Sequence, residues 1–150
     1  MQRLLAYRPP RIAALLVVIA FGLCYFSPAK TLLFIPYKLI GTVCMISGFS
    51  IMMWAWGLFK KAATAICPTA ETAALVTHGA YRFSRNPMYL GMLLILFGAA
   101  FLMGAVPAFL APAVFFVSMD KVFIPYEEEK LRKGFGDDYA RYAEQTRQWL

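Results

Sequence analysis

The sequence predicts an all-α integral membrane protein with four transmembrane helices, the last two a tight hairpin, followed by a C-terminal amphipathic helix. Three observations carry this. Of 150 residues, 61% are hydrophobic and only 15% are charged, with a mean hydropathy of +0.60. A soluble domain of that length has too little interior to hide so much apolar surface. The apolar residues fall in four separate runs, and the basic residues collect at the ends of those runs. A single domain, residues 1–150, accounts for the length.

The first span covers about 12–26, an apolar run broken only by Gly22. The second covers about 39–59, after the entry segment Leu32-Leu33-Phe34-Ile35-Pro36. The third covers about 88–103 and the fourth about 106–123. An 18-residue helix rises about 27 Å against a hydrocarbon core of ~30 Å, so the third span is short and borrows residues at its ends. The tight turn near Gly104 makes spans three and four antiparallel. Gly41, Gly48, Gly91 and Gly98 are expected where helices approach closely, as small residues do in membranes.

Two polar segments flank these spans, a loop at 60–87 and a tail at 124–150. In the tail, Pro125 removes a backbone donor and should kink the helix just before Glu127-Glu128-Glu129. Such a kink turns one or two of the carboxylates toward the segment 79–91. Asp120, seven residues before Glu127, would share its face without the kink; an acid so near the membrane needs a partner, with Lys121, Arg82 and Arg85 as candidates. Gly134 and Gly136 should end this helix, with Asp137 capping a last one. Tyr139, Tyr142, Ala143, Thr146, Trp149 and Leu150 then fall on one face, lying on the membrane surface or folded back over the site.

Charge sets the orientation. Arg3, Arg8 and Arg11 precede span one, and Lys60, Lys61, Arg82 and Arg85 lie between spans two and three. Lys121, Lys130, Arg132, Lys133, Arg141 and Arg147 lie at or beyond the end of span four, while the other side offers Lys30 and Lys38. The positive-inside rule puts both termini and the 60–87 loop in the cytoplasm. A competing reading takes the N-terminal run and Ser27-Pro28-Ala29 as a signal peptide with its cleavage site; Pro28 within that motif argues against it. The net charge of +7 flanks spans instead of forming a stripe, which suits anionic lipid headgroups and not nucleic acid. Cys24, Cys44 and Cys67 have no metal-ligand spacing and His78 is the only histidine, so no metal is expected.

The segment Gly79-Ala-Tyr-Arg-Phe-Ser-Arg-Asn-Pro-Met-Tyr-Leu-Gly91 is the most informative stretch. Arg82 and Arg85 read blandly as membrane-edge anchors. Asn86-Pro87 adds a helix start, and such a start beside an arginine is a ready anion site. The three glutamates read blandly as a solvated helix exit beside Lys130, Arg132 and Lys133. His78 could contact a ligand or simply be exposed, and Gly79 could admit a ligand or make a turn. Tyr81 and Tyr89 could stack on a ring or sit at the interface for amphipathic reasons.

Together these residues resemble the isoprenylcysteine carboxyl methyltransferase and phospholipid methyltransferase superfamily. Its pattern Leu-Val-x-x-Gly-x-Tyr-x-x-x-Arg-(His/Asn)-Pro-x-Tyr-x-Gly is matched by Leu75-Val76, Gly79, Tyr81, Arg85, Asn86, Pro87, Tyr89 and Gly91. Its pattern Glu-Glu-x-x-Leu-x-x-x-Phe-Gly-x-x-Tyr-x-x-Tyr is matched by Glu127, Glu128, Leu131, Phe135, Gly136, Tyr139 and Tyr142. The match covers the chain from about Pro68 onward; spans one and two match only as apolar frame. The resemblance implies S-adenosylmethionine as methyl donor, held by Gly79, Tyr81, Arg85, Asn86, Pro87, Tyr89, Glu127 and Glu128, and Val76 and His78 are expected beside them. Arg85, Glu128 and Arg82 are the expected catalytic set, with Arg82 as the cation that would orient a carboxylate acceptor. The acceptor that the resemblance implies is a lipid or isoprenylated molecule entering from the bilayer, with span three and the end of span four as gate.

Carboxyl methyltransferases of this superfamily usually carry histidine where Asn86 stands, whereas asparagine is common in short bacterial members and the phospholipid branch. Carboxylate O-methylation, with Arg82 orienting the acceptor, is the favoured reaction; N-methylation of a phospholipid amine, with a glutamate taking the proton, is the alternative. Two further readings are a nicotinamide-dependent membrane reductase of sterol or isoprenoid type, and a membrane scaffold without chemistry.

Overall fold

The computed structural model describes residues 9–26, 35–62 and 74–150, and among them the backbone is helical with no strand. The candidate cleavage motif at 27–29, most of the entry segment, Cys67 and the most N-terminal basic residues lie outside the described residues. Helix α1 runs Pro9–Phe26 and α2 runs Ile35–Lys61. Prolines 9, 10 and 36 fall in first turns, where a missing N–H costs nothing, and Lys60 and Lys61 close α2 at its negative dipole end. Helix α3 runs Pro87–Met103, α4 Leu110–Ser118 and α5 Ile124–Gln145. Short 3-10 turns, Gly79–Arg82 and Val106–Phe109, precede α3 and α4.

Helix α2 packs along α3, and α1 rests on α3 and α4. The α2–α3 contact is a backbone-to-backbone approach through glycines. A Cβ on Gly48 would stand 2.6 Å from the Gly91 carbonyl oxygen, and one on Gly41 would stand 2.9 Å from that of Gly98. The four expected close-packing glycines are thus two facing pairs, and their crossed order makes α2 and α3 antiparallel. No side chain fits between such surfaces, which gains dispersion contacts over the whole seam.

Past Met103 the chain turns at Gly104, whose φ of 67° is left-handed and favours glycine. Phe101 then meets Phe109 at 5.0 Å between ring centroids, while Tyr89, near the start of α3, reaches Glu127. Leu96, Phe115, Met119, Phe123 and Ile124 form the main buried cluster between these stretches.

From Val106 to Gln145 the helical path is 40 residues long, and it accommodates Pro125 in an unexpected way. A wide π turn, Met119–Phe123, precedes the proline, and the Ile124 N–H donates to the Met119 carbonyl. This widened turn absorbs the proline's missing donor and ring clash without breaking the helix. The interruption expected near Gly134 and Gly136 occurs at Gly136, with φ 50° and ψ −120°. The last helix is shorter than its sequence pattern suggests. It stops at Gln145, Thr146 is extended, and Leu150 is exposed.

Two helices are long and apolar enough to cross a bilayer, Pro36–Lys61 and the one beginning at Val106; Pro9–Gly22 and Pro87–Met103 are apolar but shorter. The outward residues of the long helices are strongly apolar: Leu39, Val43, Ile46, Phe49 and Trp54 on α2, and Leu110, Val114 and Val117 on α4 are all exposed. A contiguous belt of that kind is unfavourable in water and suits lipid.

Candidate functional site

The segment Ser84-Arg85-Asn86-Pro87 links the 3-10 turn to α3. Pro87 begins the helix as expected, but Asn86 does not cap it with its side chain. Its Nδ2 instead donates to the Gln148 carbonyl at 3.1 Å, while Ser84 Oγ accepts the Asn86 N–H at 3.1 Å. The anion beside this helix start belongs to the protein itself. Arg85 Nε and Nη2 both donate to Glu128 Oε1, at 3.0 and 2.8 Å, and Nη1 donates to the carbonyls of Ala143 and Thr146 at 2.8 and 2.7 Å. With side chains 15% and 23% exposed, this pair is shielded enough to be structural, since removing one partner leaves an uncompensated charge.

Glu127 takes a different partner: Tyr89 Oη donates to its Oε1 at 2.6 Å. Glu129 points away, 60% exposed and paired with Lys133, so the bland reading holds for one acid of the three. Glu127 lies beyond Phe123, where the apolar run stops. Burial pushes its carboxyl up to about 7, against the lowering effects of the Tyr89 hydroxyl and the Lys130 charge.

Asp120 is held by Lys121, Gln148 and Trp149, which corrects the expectation that Arg82 or Arg85 could serve. Tyr142 Oη donates to the Tyr81 carbonyl at 2.7 Å. Tyr139 is 1% exposed, and its hydroxyl lies near Glu128 without a hydrogen-bond partner. Burial first, then the Glu128 carboxylate, pushes its pKa up to about 12. Burial likewise raises Tyr81 and Tyr142, so all three phenols keep their protons at neutral pH.

These groups surround one cavity of about 780 Å³, within the range of small-molecule sites. Its polar lining comes from Tyr81, Arg85, Asn86, Glu127, Glu128, Lys130, Tyr139 and Tyr142. Its apolar lining includes Met52, Met53, Trp56 and Phe59 from α2, Met88 and Met92 from α3, and Pro9 and Pro10 from α1. Of the site residues expected from sequence, Val76, Tyr81, Arg85, Asn86, Tyr89, Glu127 and Glu128 line it. The geometry does not bring the others to its wall. Arg82 and His78 are exposed, Gly79 packs on Leu58, and Pro87 is buried behind the wall. Sequence reasoning missed Trp56, Met52 and Met53, which carry no signal beyond hydrophobicity. It also missed Tyr139 and Tyr142 as wall residues, although their spacing on one helix face was visible. Among the described residues no cluster of His, Cys, Asp or Glu could hold a metal ion.

A cavity lined by acidic, aromatic and apolar side chains invites comparison with known proteins. The sequence model of the phospholipid methyltransferase family matches residues 36–138. The chain belongs to that family. This phospholipid methyltransferase family member is 39% identical over 74 residues to protein-S-isoprenylcysteine O-methyltransferase A of Arabidopsis thaliana, covering 49% of this chain and 38% of that protein. It is 37% identical over 79 residues to a probable protein-S-isoprenylcysteine O-methyltransferase of Oryza sativa subsp. indica, 51% of this chain and 40% of that protein. An uncharacterized protein of Haemophilus influenzae is 38% identical over 63 residues, 42% of this chain and all of that protein. The chain thus spans about two fifths of the length of the plant enzymes it matches. No solved structure matches. The family and the apolar helices are consistent with association with a membrane.

Proposed function

We propose that this family member transfers a methyl group from S-adenosylmethionine to a lipid-borne acceptor at the cytosolic face of a membrane. Four helical spans, the last two a hairpin, would hold the site at that face. The observation that carries the reading is the cavity itself, whose lining combines two carboxylates with methionine and tryptophan side chains.

The donor's chemistry fits these residues. It carries a sulfonium and an ammonium, which call for carboxylates and aromatic faces, and Glu127, Glu128, Tyr81 and Tyr142 supply both. Tyr139 adds a buried, protonated hydroxyl beside the Glu128 carboxylate. Arg85 fits less directly than the sequence suggests: its donors are committed to Glu128 and two carbonyls, so its part is to orient Glu128. When bound, the donor supplies an electrophilic methyl group. The chain's own work is to align the acceptor with that group and to exclude water. Met52, Met53, Trp56 and Met92 would seat the acceptor's apolar portion, continuous with the bilayer.

Two acceptor chemistries remain in play. Carboxylate O-methylation, favoured on sequence grounds, asked Arg82 to orient the acceptor, and Arg82 is exposed away from the cavity. Amine N-methylation is favoured by Glu127, a cavity-lining carboxyl whose raised pKa suits it to take the amine's proton near neutrality.

The test is incubation of the full-length protein with methyl-labelled donor and total membrane lipids, followed by identification of the labelled species. Label in an ester or an amine supports the reading and decides between its branches. Thermal stabilisation by NADPH but not by S-adenosylhomocysteine would replace it with a reductase, and stabilisation by neither would leave a scaffold.

A further inference from the structure

We infer that Asp120, Gln148 and Trp149 form a clamp that positions the Arg85–Asn86 turn and Glu128 for ligand binding, making the last five residues a working part of the site. The inference rests on the methyl-transfer reading above and extends it to a segment beyond residue 138, where the family match ends.

The clamp begins in the π turn. Asp120 Oδ1 accepts from Trp149 Nε1 at 3.0 Å and from Gln148 Nε2 at 3.1 Å. Its other oxygen pairs with Lys121, but the lysine is 75% exposed and such a pair is worth little. Held at this point, the extended tail presents its carbonyls to the turn before α3. Gln148 O accepts from Asn86 Nδ2 and from Ser84 Oγ, Arg147 O accepts the Arg85 N–H at 2.9 Å, and Thr146 O accepts Arg85 Nη1. Arg85 is then fixed on its backbone and its side chain at once, and Glu128 is fixed through Arg85.

None of residues 146–150 lines the cavity; Arg85, Asn86 and Glu128 do. The tail therefore acts from behind. An extended segment without regular secondary structure of its own needs anchors to stay in place. What holds it is a charge-assisted pair of bonds to a carboxylate, plus the Trp149 ring against Phe116 at 5.1 Å. The same arrangement explains Asp120, an acid close to the apolar run that would be costly without donors. These three are positioning residues, not ligand contacts.

The test uses the full-length protein in detergent micelles with S-adenosylhomocysteine as titrant. Trp149→Phe keeps the ring on Phe116 and removes only the N–H; Asp120→Leu removes the acceptor, and Asp120→Asn restores an oxygen. The expected result is that Trp149→Phe and Asp120→Leu weaken S-adenosylhomocysteine binding by about five- to tenfold. Asp120→Asn should stay within about twofold of wild type, since an amide oxygen can still accept both bonds. Acceptor KM should not move, because the apolar wall is untouched. Faster hydrogen exchange at the Arg85 amide should accompany the loss, and this readout needs no ligand. Wild-type affinity and wild-type Arg85 exchange in Trp149→Phe would overturn the clamp, even if Asp120→Leu fails to fold. If the wild-type protein takes up no S-adenosylhomocysteine, the functional reading fails, and the clamp still stands or falls on Arg85 exchange.

Discussion

Separating Arg85 from Glu128 should cost more than either a surface ion pair or a lost ligand contact would suggest. The two side chains are 15% and 23% exposed, and the guanidinium also holds the carbonyls of Ala143 and Thr146. Breaking a shielded pair by removing one partner costs about 3–5 kcal/mol, so Arg85→Ala should lose an amount in that range. Arg85→Lys should recover little, because one ammonium cannot reach Glu128 and two carbonyls together. Glu128→Gln keeps an acceptor oxygen and should cost about 1–2 kcal/mol, the charge-assisted part of the bond. The Arg85→Ala/Glu128→Gln double mutant should then show a coupling of about 1–3 kcal/mol. Reversible unfolding in mixed micelles of the wild type, both single mutants and the double mutant measures it. Additive single-mutant costs would show that the pair is a contact without energetic content, and would refute Arg85 as the residue that orients Glu128.

Other outcomes follow from the same geometry. Gly48→Ala places a methyl 2.6 Å from the Gly91 carbonyl oxygen; overpacking of that kind should cost about 1–3 kcal/mol of stability in unfolding experiments. Glu129→Ala, at a 60% exposed side chain, should leave methyl transfer unchanged, whereas Glu127→Ala should abolish it in the labelled-donor assay. Because the Glu127 carboxyl is pushed up to about 7, a cationic ligand that needs its carboxylate should bind more weakly as pH falls below that value, and Glu127→Gln should flatten the calorimetric profile. Linkage gives the ligand-free protein the opposite trend: a raised carboxyl pKa means stability is lost as pH rises from 4.5 toward about 7. Thermal melts across that window check the sign.

Much of the frame was legible because membrane helices announce themselves in single residues. The glycine pairs at 41/98 and 48/91 were readable as close contacts, since few other roles suit glycine inside an apolar helix. The turn at Gly104 and the break at Gly136 were readable for the complementary reason, that only glycine takes those dihedrals readily. The convergence of Arg85 and Asn86 with Glu127 and Glu128 followed from opposite charges at one edge of the apolar runs. What each polar group does there was not legible. Asn86 reads as a helix cap from its neighbours alone, but the Gln148 carbonyl, 62 residues away, competes for its amide. Arg82 and Arg85 are equivalent in sequence, yet the 3-10 turn over Gly79–Arg82 sends one outward and the other into the cavity. Pro125 predicts a kink, but not that the helix widens into a π turn ahead of it, with Phe123 and Ile124 packed in the core. The tail's departure from helix at Thr146 depends on acceptors and donors from three other segments, which no local pattern carries.

The most direct measurement is calorimetric titration of the purified full-length protein with S-adenosylhomocysteine, on wild type and on Glu127→Gln. Methyl transfer through this cavity predicts saturable one-site binding by the wild type, with a clear loss of affinity in the mutant while its melting behaviour is retained. Absence of binding to the folded wild type, or equal affinity in both proteins, would contradict it.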